Sequence, residues 1–66
     1  MPTIRVTLFN GRTVEQKRAF AESITRAANI DLGSAPESVD VIFEDVEKHN
    51  WATGGRLWSD PPKTGG

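Results

Sequence analysis

The chain has 66 residues, no cysteine, one histidine and a formal net charge of −1. Surface scaling gives a folded monomer of this mass roughly 4,100 Å² against roughly 10,400 Å² unfolded, so about 60% is buried: one small domain with a thin core. Disulfides, thiolate zinc sites, cysteine nucleophiles and a multi-histidine metal site are excluded, and association between copies is the remaining way to make so short a chain robust.

The first predicted element is a strand from Thr3. Ile4, Val6 and Leu8 point one way, Thr3, Arg5 and Thr7 the other, a period of two rich in β-branched residues. Asn10-Gly11 breaks it. Thr13-Val14-Glu15-Gln16 then has capping-box spacing, which starts a helix expected to run to about Asn29–Leu32. Phe20, Ile24, Ala27 and Ala28 form its narrow apolar stripe, with Glu15, Lys17, Arg18, Glu22 and Arg26 outside it. Gly33 stops it.

After the connection Ser34–Glu37, Val39, Val41 and Phe43 alternate with Asp40, Ile42 and Glu44 in a second strand. Strand, helix and strand in so few residues make a βαβ unit, with parallel strands and a right-handed crossover. Gly54-Gly55 between Trp51 and Trp58 predicts a small terminal hairpin, and Ser59–Gly66 reads as a frayed tail. The expected fold class is α/β (α+β): a βαβ domain over residues 1–58 with a parallel two-stranded sheet, a C-terminal hairpin and a tail over 59–66. One helix covers one sheet face. The other, carrying Arg5, Thr7, Phe9, Asp40 and Ile42, is left for a second copy, so the chain is expected to oligomerise through its sheet.

Eight Lys+Arg against nine Asp+Glu is not the footprint of a nucleic-acid binder, and no apolar run approaches the roughly 20 residues that span a bilayer. The amino-terminal stretch lacks a signal-peptide pattern, which makes a cytoplasmic location the expectation. There is no phosphate loop, no dinucleotide fingerprint and no Ser-His-Asp set.

What remains as a source of chemistry is Pro2. Initiator methionine is normally removed before a small residue, and its loss exposes a secondary amine at the start of a strand. An α-amino group has a reference pKa near 7.7–8.0, and apolar surroundings or nearby arginines lower that further. A neutral amine at pH 7 is a general base. Met-Pro alone is a weak signal. It is strengthened by Gly11-Arg12, Glu15-Gln16-Lys17, Ser38-Val39, Val41-Ile42 and the run from His49 to Gly54-Gly55, all in order behind it.

In that order and spacing, over roughly residues 2 to 58, the chain resembles the 4-oxalocrotonate tautomerase family. The resemblance implies a βαβ subunit assembled as a homohexamer, a trimer of dimers. It also implies cofactor-independent, metal-free proton transfer on a small-molecule 2-hydroxydienoate or 2-oxo acid. Pro2 would be the catalytic base, and Arg12 the anchor for the distal carboxylate, a role suited to a bidentate guanidinium. Trp51 stands where the family has an active-site phenylalanine. The family's second arginine falls at Asp40, a charge reversal where an anion is expected; Arg5 or Arg56 are candidate substitutes. The reversal points toward a monocarboxylate such as an arylpyruvate enol.

Two alternatives follow. A hydratase, decarboxylase or dehalogenase on the same scaffold would use protonated Pro2 with Asp40, although the trans-specific haloacrylate dehalogenases have an arginine where this chain has Phe9 and a glutamate where it has Thr53. A non-enzymatic oligomeric module would keep the fold and lose the site. Trp58 reads as a packing or interface residue and His49 as a surface residue.

Overall fold

The structure, a computed structural model, describes residues 1–62. β1 (Thr3–Phe9) is followed by α1 (Val14–Leu32), a 3-10 turn at Pro36–Ser38, and β2 (Asp40–Val46). A second 3-10 turn at Lys48–Asn50 leads into a hairpin of β3 (Ala52–Thr53) and β4 (Arg56–Leu57). β1 and β2 run parallel, in register from Thr3 opposite Asp40 to Phe9 opposite Val46. The parallel βαβ unit and the terminal hairpin are both present. Val39, read as the first strand residue, instead closes the 3-10 turn, its N–H donating to the Pro36 carbonyl at 3.2 Å.

The helix is fixed at both ends by local chemistry. The Gln16 N–H donates to Thr13 Oγ1 at 3.1 Å, and the Thr13 N–H donates to Gln16 Oε1 at 2.9 Å, so two otherwise orphaned donors are satisfied. At the other end Gly33 takes φ +70°, left-handed geometry that costs glycine nothing, and its N–H donates to the Asn29 carbonyl. The turn of the hairpin follows the same logic. Gly54 and Gly55 have φ +62° and +80°, the paired positive values of the two-residue turn whose twist matches antiparallel strands.

The two sheet faces differ as the alternation requires. Ile4, Val6, Leu8, Val41 and Phe43 are half-buried beneath α1, while Thr3, Arg5, Thr7, Asp40, Ile42 and Glu44 are exposed on the opposite face. Phe9 departs from that pattern. It belongs to the open face by register, yet the hairpin's indoles fold over it.

The core is thinner than the length alone requires. Among the described residues Ala28, 5% exposed, is the only buried one, and Phe20 in the expected apolar stripe stays 45% exposed. The chain exposes 5166 Å², about a quarter more than scaling gives a compact monomer of this mass. A two-stranded sheet has two edges and, here, one uncovered face, which makes it marginal on its own in water.

Candidate active site

The residues singled out in the sequence lie in two groups at opposite ends of the sheet. Pro2 and Asp40 share the amino end of the strands. The Asp40 N–H donates to the Pro2 carbonyl at 3.0 Å, extending the ladder one residue past β1. Pro2 is half-buried and Asp40 exposed. The Pro2 nitrogen is acylated by Met1, which is 91% exposed and thus open to removal.

Arg12 and Trp51 belong to the carboxyl end. Arg12 sits in the turn between β1 and the Thr13 cap, exposed, at the rim of a groove of about 250 Å³ whose apolar lining is Val6, Leu8, Phe20 and Phe43. Lys17 also lines this groove, but its ammonium is held by the Asp45 carboxylate at 2.7 Å. That is the one ion pair among the described residues, so Arg12, Arg5 and Asp40 each lack an opposite charge within salt-bridge distance there.

Trp51 does not stand alone. Its ring lies 4.5 Å from that of Phe9, the last residue of β1, and Trp58 meets the same phenyl ring edge-on at 5.5 Å. The Trp58 N–H donates to the Trp51 carbonyl at 2.9 Å, and its indole Nε1–H donates to Thr53 Oγ1 at 2.9 Å. The Lys48 ammonium lies 5.9 Å from the Phe9 centroid, within cation–π reach. The alternation puts Phe9 on the open face and Trp58 reads as a packing or interface residue; neither reading joins them with Trp51 in one cluster. A signal for the cluster was nevertheless present, since a two-residue turn at Gly54-Gly55 makes Trp51 and Trp58 cross-hairpin partners.

Arg56 is drawn away from both groups: its guanidinium donates to the Pro61 carbonyl. With the Asp60 N–H on the Leu57 carbonyl at 3.1 Å, this bond holds part of the expected tail against the hairpin, while 63–66 lie outside the described residues. Arg5 is on the open face, diagonal to Asp40 across the register. Seven residues of β1 at roughly 3.3 Å each put about 20 Å between the two ends. One chain therefore does not bring Pro2 to Arg12 and Trp51. No helix among the described residues is long and apolar enough to cross a membrane.

Comparison with known proteins adds an independent line. A family model described as tautomerase enzyme matches residues 2–60. A probable tautomerase of Ralstonia nicotianae is 39% identical over 64 residues, covering 97% of this chain and 98% of the relative. A 2-hydroxymuconate tautomerase of Bacillus subtilis is 37% identical over 60 residues, covering 91% and 97%. Among solved structures, YwhB, a homologue of 4-oxalocrotonate tautomerase, superimposes with a TM-score of 0.87 at 34% identity, covering 92% of this chain and all of that one. A second 4-oxalocrotonate tautomerase homologue, TTHB242, gives 0.85 at 40% identity, covering 96% and 100%.

Proposed function

The chain belongs to the tautomerase family and is an isomerase, and from that premise we propose that it catalyses keto–enol tautomerisation of a 2-hydroxydienoate or 2-oxo acid, with Pro2 as the base. Once Met1 is removed, the Pro2 nitrogen becomes a secondary amine at the mouth of the sheet. Neutral, it accepts the enol hydroxyl proton and returns a proton to carbon, at the 3- or 5-position along the conjugated chain. Nothing is oxidised or hydrolysed, so proton balance closes without a cofactor. Arg12, in no ion pair among the described residues, offers two parallel N–H donors to a carboxylate. Trp51 supplies an apolar wall, which disfavours the protonated amine.

The observation that carries this reading is the separation itself. Base and anchor stand about 20 Å apart on one chain, and a small acid cannot reach both. The open sheet face, with Ile42 41% exposed at its centre, supplies the remedy. A second copy laid against it would cover apolar surface and bring one chain's Pro2 to another's Arg12. We take the working unit to be a homo-oligomer, a hexamer built as a trimer of dimers, acting in the cytoplasm on a small molecule without nucleic acid or membrane.

The test is an ultraviolet assay of 2-hydroxymuconate turnover, after intact mass has confirmed loss of Met1. Pro2→Ala should lower kcat/KM by about 10²- to 10⁴-fold, the range for a general base. A retained methionine on active protein, or full activity in Pro2→Ala, would contradict the assignment.

Asp40 supports one rival. A carboxylate beside Pro2 suits a hydratase, decarboxylase or dehalogenase that needs the amine protonated. The pH profile separates the two: activity rises as the amine deprotonates if it is the base, and falls over the same range if the cation is required.

A further inference from the structure

Arg12 and Trp51 sit on the segments that leave the carboxyl ends of β1 and β2, and one side-chain hydrogen bond ties those segments together. The Asn10 amide Nδ2–H donates to Glu47 Oε1 at 3.0 Å. This bond lies just past the last ladder pair, Phe9 opposite Val46, where the Asn10 backbone N–H also donates to the Val46 carbonyl at 3.1 Å. Asn10 is thus held twice, by main chain and by side chain.

Each side of this clasp leads to a candidate site residue. Beyond Asn10, Thr13 is pinned by the capping box, so only Gly11 and Arg12 are left to span the gap between two fixed posts. Beyond Glu47 comes the 3-10 turn, in which the Glu47 carbonyl accepts the Asn50 N–H at 2.8 Å. That turn delivers Trp51, whose ring returns to Phe9, the residue before Asn10. The pairs Asn10–Glu47 and Phe9–Trp51 therefore cross-link the same two segments side by side.

The surrounding charges make placement matter. Glu44, Asp45, Glu47 and Asp60 offset the basic side chains around this end, so no general positive field draws an anion to Arg12. The three acids on or next to β2 are engaged one by one: Glu44 accepts from Thr7 Oγ1 at 3.2 Å, Asp45 pairs with Lys17, and Glu47 accepts from Asn10. Glu47, bonded two residues from Arg12, meets a neutral donor and makes no ion pair among the described residues. A guanidinium in such surroundings binds a carboxylate through its position rather than through bulk charge.

We infer that Asn10 and Glu47 are positioning residues for the Arg12 anchor: their hydrogen bond fixes the turn that carries Arg12 to the segment that carries Trp51. Neither residue touches the reacting atoms. The inference rests on the proposed role of Arg12 and goes past it, because proton transfer by Pro2 requires neither Asn10 nor Glu47.

Steady-state kinetics with 2-hydroxymuconate test it. Asn10→Ala should raise KM about threefold to tenfold, the span of one net hydrogen bond, with kcat within about twofold of wild type. Glu47→Ala, which breaks the same bond from the other partner, should fall in the same range. Glu47→Gln, whose side-chain carbonyl still accepts from Asn10, should stay near wild type. In an Arg12→Ala background Asn10→Ala should add nothing, since no guanidinium is left to place. An unmoved KM in Asn10→Ala overturns the inference, as does a loss confined to kcat. So does a Glu47→Gln defect as large as that of Glu47→Ala. A penalty that persists undiminished in the Arg12→Ala background also overturns it, being the mark of a purely structural role. Processed wild type inert toward the acid overturns the tautomerase reading, and Arg12→Ala with a wild-type KM overturns the anchor. Both results are distinct from a failed clasp in an active, Arg12-dependent enzyme.

Discussion

The amino and carboxyl ends of the sheet are built from the same two strands, yet they are finished differently. The amino end is sparse: a proline, an exposed carboxylate and one ladder hydrogen bond between them. The carboxyl end is furnished by everything that follows the strands. The Asn10-Gly11 turn presents Arg12, and the hairpin brings Trp51 and Trp58 over Phe9. In the proposed mechanism one end holds the reactive group, and the other holds the groups that orient and enclose a substrate. On the proposed reading the chain carries two complementary half-sites rather than one site, which would also account for a protomer with a single buried residue among those described. Surface that a monomer would have buried in its own core is kept for another copy.

That division can be broken in graded steps. The largest effect is expected from Ile42→Glu, on the open face between the two ends. A buried, unpaired carboxylate there opposes association, so assembly and activity should be lost together while the helical signal persists in part. Size-exclusion chromatography with light scattering, run beside the turnover assay, reads both. Arg12→Ala acts on one half-site only: loss of a bidentate charge-assisted contact should raise KM about 10- to 100-fold without changing the assembly. Thr13→Ala should be smaller still, removing half of the capping box for about 1 kcal/mol of stability. Denaturant unfolding would measure it, with the position of Arg12 making a modest rise in KM the accompanying sign.

Much of the scaffold was legible because each element advertises its own ends. The Thr13–Gln16 box, Gly33 and the Gly54-Gly55 pair are local signals whose physics does not depend on tertiary context, and all three fall where the spacing predicts. Alternation in β1 and β2 likewise assigned each face correctly from Ile4 to Phe43. The candidate site was legible only in part. Pro2 stands out through the chemistry of an amine, but Arg12 is an ordinary turn residue until its lack of a partner is seen in three dimensions. Phe9 misled the pattern: its register puts it on the open face, and only the returning hairpin, a contact across more than 40 positions, covers it. Val39 shows the limit at strand boundaries, where a β-branched residue satisfied the alternation but a 3-10 turn claimed its N–H.

The central claim, that catalysis needs the amino end of one chain and the carboxyl end of another, is open to a direct measurement. Pro2→Ala and Arg12→Ala proteins are unfolded together, refolded as a mixture and assayed with substrate well below KM, where each alone shows a small fraction of wild-type kcat/KM. If the site spans chains, random assembly creates sites holding an intact Pro2 from one variant and an intact Arg12 from the other, about a quarter of all sites. Activity should then return to about that fraction of wild type. If both residues serve from the same chain, no mixed assembly contains a complete site, and activity no higher than that of the separate variants would contradict the account.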